Sequence, residues 1–165
     1  MSRLLVRPRP PSEDGCVLNV TPESAGWSHV GFRLHQLRPD QIVHSRDSAR
    51  ETCVVVLTGL VDIMVDGRRF QAVGGRGSVF DPVAPGAVYV PAGARFEVAA
   101  KSAAEVALCS APGRPGREAR LIAGGHMPSE VRGQGTNTRH VRNILPETEP
   151  ADSLLVVEVI TPGGH

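Results

Sequence analysis

Six histidines are the residues best suited to proton transfer or metal ligation: His29, His35, His44, His126, His140 and His165. No two stand as His-x-His or four residues apart, the spacings that bring two imidazoles to one side of a strand or a helix. His44 lies seven residues before Glu51. That pair is still short of the three or four ligands a metal takes, so no metal site is assigned. Ser110 and Cys109 end an apolar run with no histidine close by in sequence, which favours packing over nucleophilic chemistry. Glu147 and Glu149 sit in a proline-flanked loop and read as solvated. No catalytic residue is assigned. The residues left with chemical promise are Arg132, Asn137, Arg139, His140 and Asn143. A guanidinium binds a carboxylate as a two-pronged fork, and carboxamides bond to hydroxyls.

The elements that must position these groups read as strands. Val54–Leu57 is an apolar run that stops at Gly59, and Val61, Ile63 and Val65 alternate up to Asp66-Gly67. Asp-Gly between two such runs is a strong hairpin signal. Further strands are expected over 17–20, 28–37, 41–45, 86–90, 96–100, 106–110 and 153–160. Leu4, Leu5 and Val6 offer a possible edge strand in an otherwise extended arm, 1–14. Thr21–Gly26 reads as a turn. Gly74-Gly75-Arg76-Gly77-Ser78 has the glycines of a phosphate cradle. A helix start should follow such a cradle, but Val79-Phe80-Asp81-Pro82 follows instead, so a turn is expected. Short strands every 8–12 residues, with Gly/Pro turns and no amphipathic helix, argue an all-β antiparallel sandwich or barrel.

The chain has 165 residues and a net charge of +1. One domain is the first expectation, and the charge makes no case for nucleic acid or a membrane surface. Lys101 is the single lysine, so nearly all of the basic charge is arginine. Three cysteines without a CxxC, two of them (Cys53 and Cys109) in apolar runs, suit buried free thiols and a cytoplasmic setting. No apolar stretch approaches the length of a membrane span.

Two motif frames resemble those of the cupin jelly rolls. Glu51 and Gly59 match the end of one, and Gly86, Pro91 and Gly93 match the other, with Phe96 where a histidine would stand. A more specific likeness runs through Gly26-Trp27, Val30-Gly31-Phe32, Cys109-Ser110-Ala111-Pro112, Val131-Arg132-Gly133, Asn137-Thr138-Arg139, Asn143-Ile144-Leu145-Pro146 and Pro150–Val159 to Thr161-Pro162-Gly163-Gly164. In these the chain resembles the 5-deoxy-glucuronate isomerases, bicupins of myo-inositol breakdown allied to the 4-deoxy-hexosulose-uronate isomerases. The resemblance implies a cupin-type jelly roll without metal over 15–125. A crossover and the first strand of a second cupin would fill 126–165. It also implies aldose–ketose isomerisation of a small sugar acid, and a homo-oligomer. A divalent metal of the zinc or manganese type would be held beyond His165 rather than here. On this reading the 165 residues alone are inactive, and the arginine–asparagine segment either contacts the sugar acid or ties the two jelly rolls together. An assembly domain without catalysis, or a sugar-acid-binding cupin, are the alternatives.

Overall fold

A computed structural model describes residues 5–163. Thirteen strands, one short α-helix and two single 3-10 turns (Gly124–His126 and Gly135–Asn137) make up its elements. The strands and the helix are, in order, β1 (Cys16–Val20), α1 (Pro22–Ala25), β2 (Gly31–Leu37), β3 (Ile42–Arg46), β4 (Arg50–Thr58), β5 (Leu60–Val65) and β6 (Arg68–Gly74). Then come β7 (Gly86–Val90), β8 (Arg95–Ala100), β9 (Ala104–Pro112), β10 (Arg120–Ile122), β11 (Ser129–Arg132), β12 (Arg139–Leu145) and β13 (Val156–Ile160).

Strands β2–β9 form two facing sheets in the orders β2-β9-β4-β7 and β3-β8-β5-β6, the alternation of a jelly roll. β1 and β10 extend the first sheet to six strands, and every pairing is antiparallel. The all-β, cupin-type sandwich expected from the sequence is therefore the observed fold. The β5–β6 hairpin turns at Asp66-Gly67, whose φ values of 44° and 85° are those a tight two-residue hairpin demands. The Gly74–Ser78 segment is a turn, with the amides of Gly77 and Ser78 donating to Asp81 Oδ2 at 2.8 and 3.0 Å.

Strand β4 explains why its sequence is an unbroken apolar run. Even-numbered Val54 and Val56 face the second sheet, in one core with Val61, Ile63, Phe96 and Val98. Odd-numbered Cys53 and Val55 face outward, yet they are equally buried, in a second core with Tyr89, Ile122, Ile144, Leu145 and Leu154. A strand covered on both faces has no polar face to show. The cover is a three-stranded sheet, β11-β12-β13, so the molecule has three layers.

Three local expectations are corrected. Leu5 and Val6 add no edge strand; both are exposed, and Leu4 lies outside the described residues. Thr21–Gly26 contains one helical turn, α1, because Thr21 and Ser24 exchange hydrogen bonds as a capping box. The last strand begins at Val156 rather than Ser153, because the amides before it are committed elsewhere. His165 also falls outside the described residues.

Candidate functional site

Four of the five residues singled out in the sequence converge on one stretch of the outer sheet. Arg132 ends β11, directly opposite Arg139 at the start of β12, and Asn137 closes the turn between them. Two arginines opposed across a strand pair repel, and each is turned to its own acceptor. Arg132 bonds Glu130, with Nε at 2.9 Å, and Arg139 bonds Asn137 Oδ1. Glu130 also accepts from Asn143 Nδ2 at 3.4 Å. The Arg132 guanidinium beside it holds the Glu130 carboxyl below the usual range. His140 pairs with Val131, so strand alternation turns it to the opposite face from Arg139 and Asn143. All but Asn143 are exposed. Among the described residues Arg139 forms no ion pair, so it is the guanidinium of this segment without a counter-charge.

His44 and Glu51 do not meet. His44 is on β3, exposed, with Nδ1 3.4 Å from Glu97. Glu51 lies on β4, in the other sheet, on the face turned away from the interior. Glu51, matched above to a cupin motif, is fully buried and does not line the jelly-roll cavity. Its carboxylate accepts the amides of Ser153 and Leu154 at 2.7 Å each, the amide of Asp152 at 2.9 Å, and the Tyr89 hydroxyl at 2.6 Å. Burial first, and the neighbouring carboxylate second, push the Tyr89 hydroxyl well above its ordinary value, so it remains a proton donor. The fit is close: a side chain on Gly113 would meet the Glu51 Cβ at 3.0 Å. The turn is held from outside as well, since Asp152 accepts from the Arg114 amide at 2.6 Å and from Arg117 Nε at 2.7 Å.

A second clasp lies further along β13. Glu158 takes Arg76 on one oxygen and Arg142 on the other, each at 2.7 Å. Arg76, in the Gly-rich turn, is buried; it also donates to the Leu57 carbonyl at 2.9 Å. Arg142, directly opposite Glu158 on β12, reaches the Pro82 and Val83 carbonyls. The sequence offered no signal for either clasp beyond a carboxylate in an apolar run, because their partners lie 16 to 103 residues away.

The interior of the jelly roll opens at one end into a cavity of about 360 Å³. Arg33, Arg50, Thr52 and Ser110 line it from the first sheet, Ser45 from the second, and Arg46 at the rim. Arg33 Nη2 donates across the sandwich to Ser45 Oγ at 2.9 Å. Arg50 is tied to Ser110, with Nε to Oγ at 3.2 Å and Nη2 to the carbonyl at 3.0 Å. Glu23 and Asp47 add two carboxylates to the lining, which is still short of the three or four imidazole, thiolate or carboxylate ligands a divalent metal takes. No group of three such side chains occurs among the described residues. Phe96, at the motif's histidine position, is packed in the core. His35 is buried below the cavity, and burial pushes its imidazole below the ordinary value.

A model of the KduI/IolB family matches residues 4–165. The 5-deoxy-glucuronate isomerases of Geobacillus kaustophilus and Geobacillus thermodenitrificans are 46% and 44% identical to this chain over 165 residues, all of its length and 60% of theirs. The crystal structure of an IolB-like protein from Salmonella typhimurium LT2 superposes with a TM-score of 0.85 at 39% identity, covering 90% of this chain and 56% of that one. The chain thus spans about three-fifths of the length of these relatives. Sequence and strand course agree, from the arm to the last strand, that it belongs to the KduI/IolB family.

Proposed function

We propose that this chain serves a 5-deoxy-glucuronate isomerase, an intramolecular oxidoreductase forming the ketose 5-dehydro-2-deoxy-gluconate. The observation that carries this is its 46% identity, over its whole length, to an enzyme of that name. Such a reaction moves a proton between adjacent carbons with a base or an electrophile beside the carbonyl. Glu23 and Asp47 are the cavity's carboxylates, and neither imidazole nor thiolate joins them to make a metal site. The reaction's chemistry therefore belongs to the part of the relatives this chain does not span, and so does the divalent metal, of the zinc or manganese type. The chain's own contribution is a scaffold. The Glu51 and Glu158 clasps fix the outer sheet on the jelly roll, and Arg139 presents a guanidinium without a counter-charge to the sugar acid's carboxylate, with Asn137 and Asn143 as hydroxyl partners. Three unpaired cysteines support a cytoplasmic, reducing setting, and among the described residues no helix is long and apolar enough to cross a membrane.

The test measures turnover of 5-deoxy-glucuronate by the purified chain, and by the same chain joined to the remaining relative-like sequence. No turnover by the first and turnover by the second is expected. Turnover by the chain alone overturns the scaffold role; none by the joined form overturns the isomerase. A second reading, a platform for assembly as a homo-oligomer, is favoured by β13. Among the described residues it pairs on one side only, with β12, and it exposes Val157 and Val159. Sedimentation equilibrium tests it, and a clean monomer would count against it.

A further inference from the structure

We propose that the open end of the first jelly roll binds a small hydroxylated oxyanion, a carboxylate or a phosphate, between Arg33 and Arg50. The register puts both arginines on the interior face of the six-stranded sheet. Arg33 lies opposite Leu108, and Leu108 opposite Val54; Thr52 lies opposite Ser110, and Arg50 is two residues before Thr52. Leu108 and Val54 are core residues. The sandwich interior is therefore apolar for most of its length and changes to guanidinium and hydroxyl at this end.

Both arginines are partly buried, and a cation taken out of water without a counter-charge is costly. Yet among the described residues neither forms an ion pair. The partners that hold them are neutral: Ser45 for Arg33, and Ser110 and the His29 carbonyl for Arg50. These bonds use Arg33 Nη2 and Arg50 Nε and Nη2. Arg33 Nε and Nη1 and Arg50 Nη1 remain as donors on side chains already fixed in place. Two carboxylates, Glu23 and Asp47, also line the cavity; Glu23 feels the Arg50 charge without forming an ion pair with it, and Asp47 accepts from the Ala49 amide at 2.9 Å. Arg46 adds a third cation there; its Nε reaches the Gly93 carbonyl at 3.3 Å. A compact oxyanion supplies the missing charge, and the serine and threonine hydroxyls suit a ligand carrying hydroxyl groups. The volume is that of a small-molecule site. This binding is independent of the proposed isomerase activity, whose chemistry lies outside the cavity.

The test is calorimetric titration of the chain at low ionic strength with inorganic phosphate, D-gluconate and neutral D-glucose. One saturable site for phosphate or gluconate, and none for glucose, is expected. Phosphate alone identifies a phosphoryl ligand, and gluconate alone a carboxylate. Arg33→Gln should weaken the anion about tenfold, the loss of a charge-assisted pair. Arg33→Lys, which keeps the charge but not the fork, should weaken it less. No saturable heat with either anion, glucose binding as tightly as the anions, or unchanged affinity in Arg33→Gln overturns the proposal. The thermal unfolding of each variant is recorded first. If Arg33→Gln does not fold, Arg46→Gln replaces it. That exposed side chain should cost about threefold through lost attraction alone, and unchanged affinity there overturns the proposal in the same way.

Discussion

Arg50 and Glu51 are neighbours on β4, opposite in charge and turned to opposite faces of one sheet. Glu51, on the outer face, is completely buried and meets four donors at 2.9 Å or less. Three of them are backbone amides of one turn, dipoles aimed at a fixed point, so the carboxylate is neutralised without a cation. Arg50, on the inner face, meets only neutral acceptors and borders an open cavity. A buried charge whose every bond is made internally is a structural pin. A partly buried charge without its counter-ion is poised for a ligand. The difference is set by what each face packs against: a turn from 101 to 103 residues away on one side, solvent at a sandwich mouth on the other.

The comparison is broken most severely at Glu51. Glu51→Ala leaves three amides and a hydroxyl without an acceptor and opens a space beside Tyr89. A loss of about 4 kcal/mol is expected, since each stranded donor costs about 1–3 kcal/mol and part of the turn can reach water. Urea unfolding measures it. A loss below about 1 kcal/mol would mean the turn detaches freely. Glu158→Ala comes next. It strands the buried Arg76 guanidinium but leaves Arg142 its two carbonyls, for about 3 kcal/mol. Tyr89→Phe removes one donor of four and should cost about 1 kcal/mol, with the amide cradle intact.

Much of this architecture was legible in the chain. The Asp-Gly hairpin, the apolar run of β4 and the Gly/Pro turns each answer to local rules, and each holds in the structure. Burial of β4 on both faces was implicit in Cys53–Leu57, which shows no polar alternation. Of the outer sheet only β13 was legible, as the strand expected over 153–160; β11 and β12 were not. Arg139–Leu145 has a half-exposed, arginine-rich pattern because Arg142 is consumed by Glu158 rather than by solvent, so period-two reading fails there. The face that Glu51 takes was not legible either. A motif match fixes position along a strand, but a one-residue choice of face decides between cavity and clasp. The meeting of the cavity's arginines was not legible, because it depends on pairing β2 with β9 and β9 with β4, contacts made across about 50 to 80 residues.

Arg139 sharpens the contrast in binding rather than stability. It is exposed, and among the described residues its side chain bonds Asn137 alone, so Arg139→Ala should shift the unfolding free energy by less than about 0.5 kcal/mol. In the joined, active form it should raise the KM for the sugar acid several-fold, with kcat less affected, as expected when uniform binding is removed. A stability loss with unchanged KM would place Arg139 with Glu51, among the pins.

The smallest effect expected lies in the acid limb of stability, at the outer edge of the clasp. The Arg114 amide, and then the Arg117 guanidinium, hold the Asp152 carboxyl below the ordinary aspartate value. In the unfolded chain it titrates near pH 4. A folded value below the unfolded one means that the stabilisation is complete above about pH 4 and is lost as pH falls through the folded value. Asp152→Asn keeps the backbone amide that reaches Glu51 but removes the charge. Its unfolding curve should therefore lie below that of the parent at pH 6 and converge with it towards pH 2–3. Asp62→Asn, at a surface carboxylate lowered by the Ala72 amide and Arg69, is the control for acid sensitivity away from the clasp. If Asp152→Asn follows the parent at every pH, the outer hydrogen bonds add nothing. The turn is then held by Glu51 alone, which places the strength of this interface on the buried side of one strand.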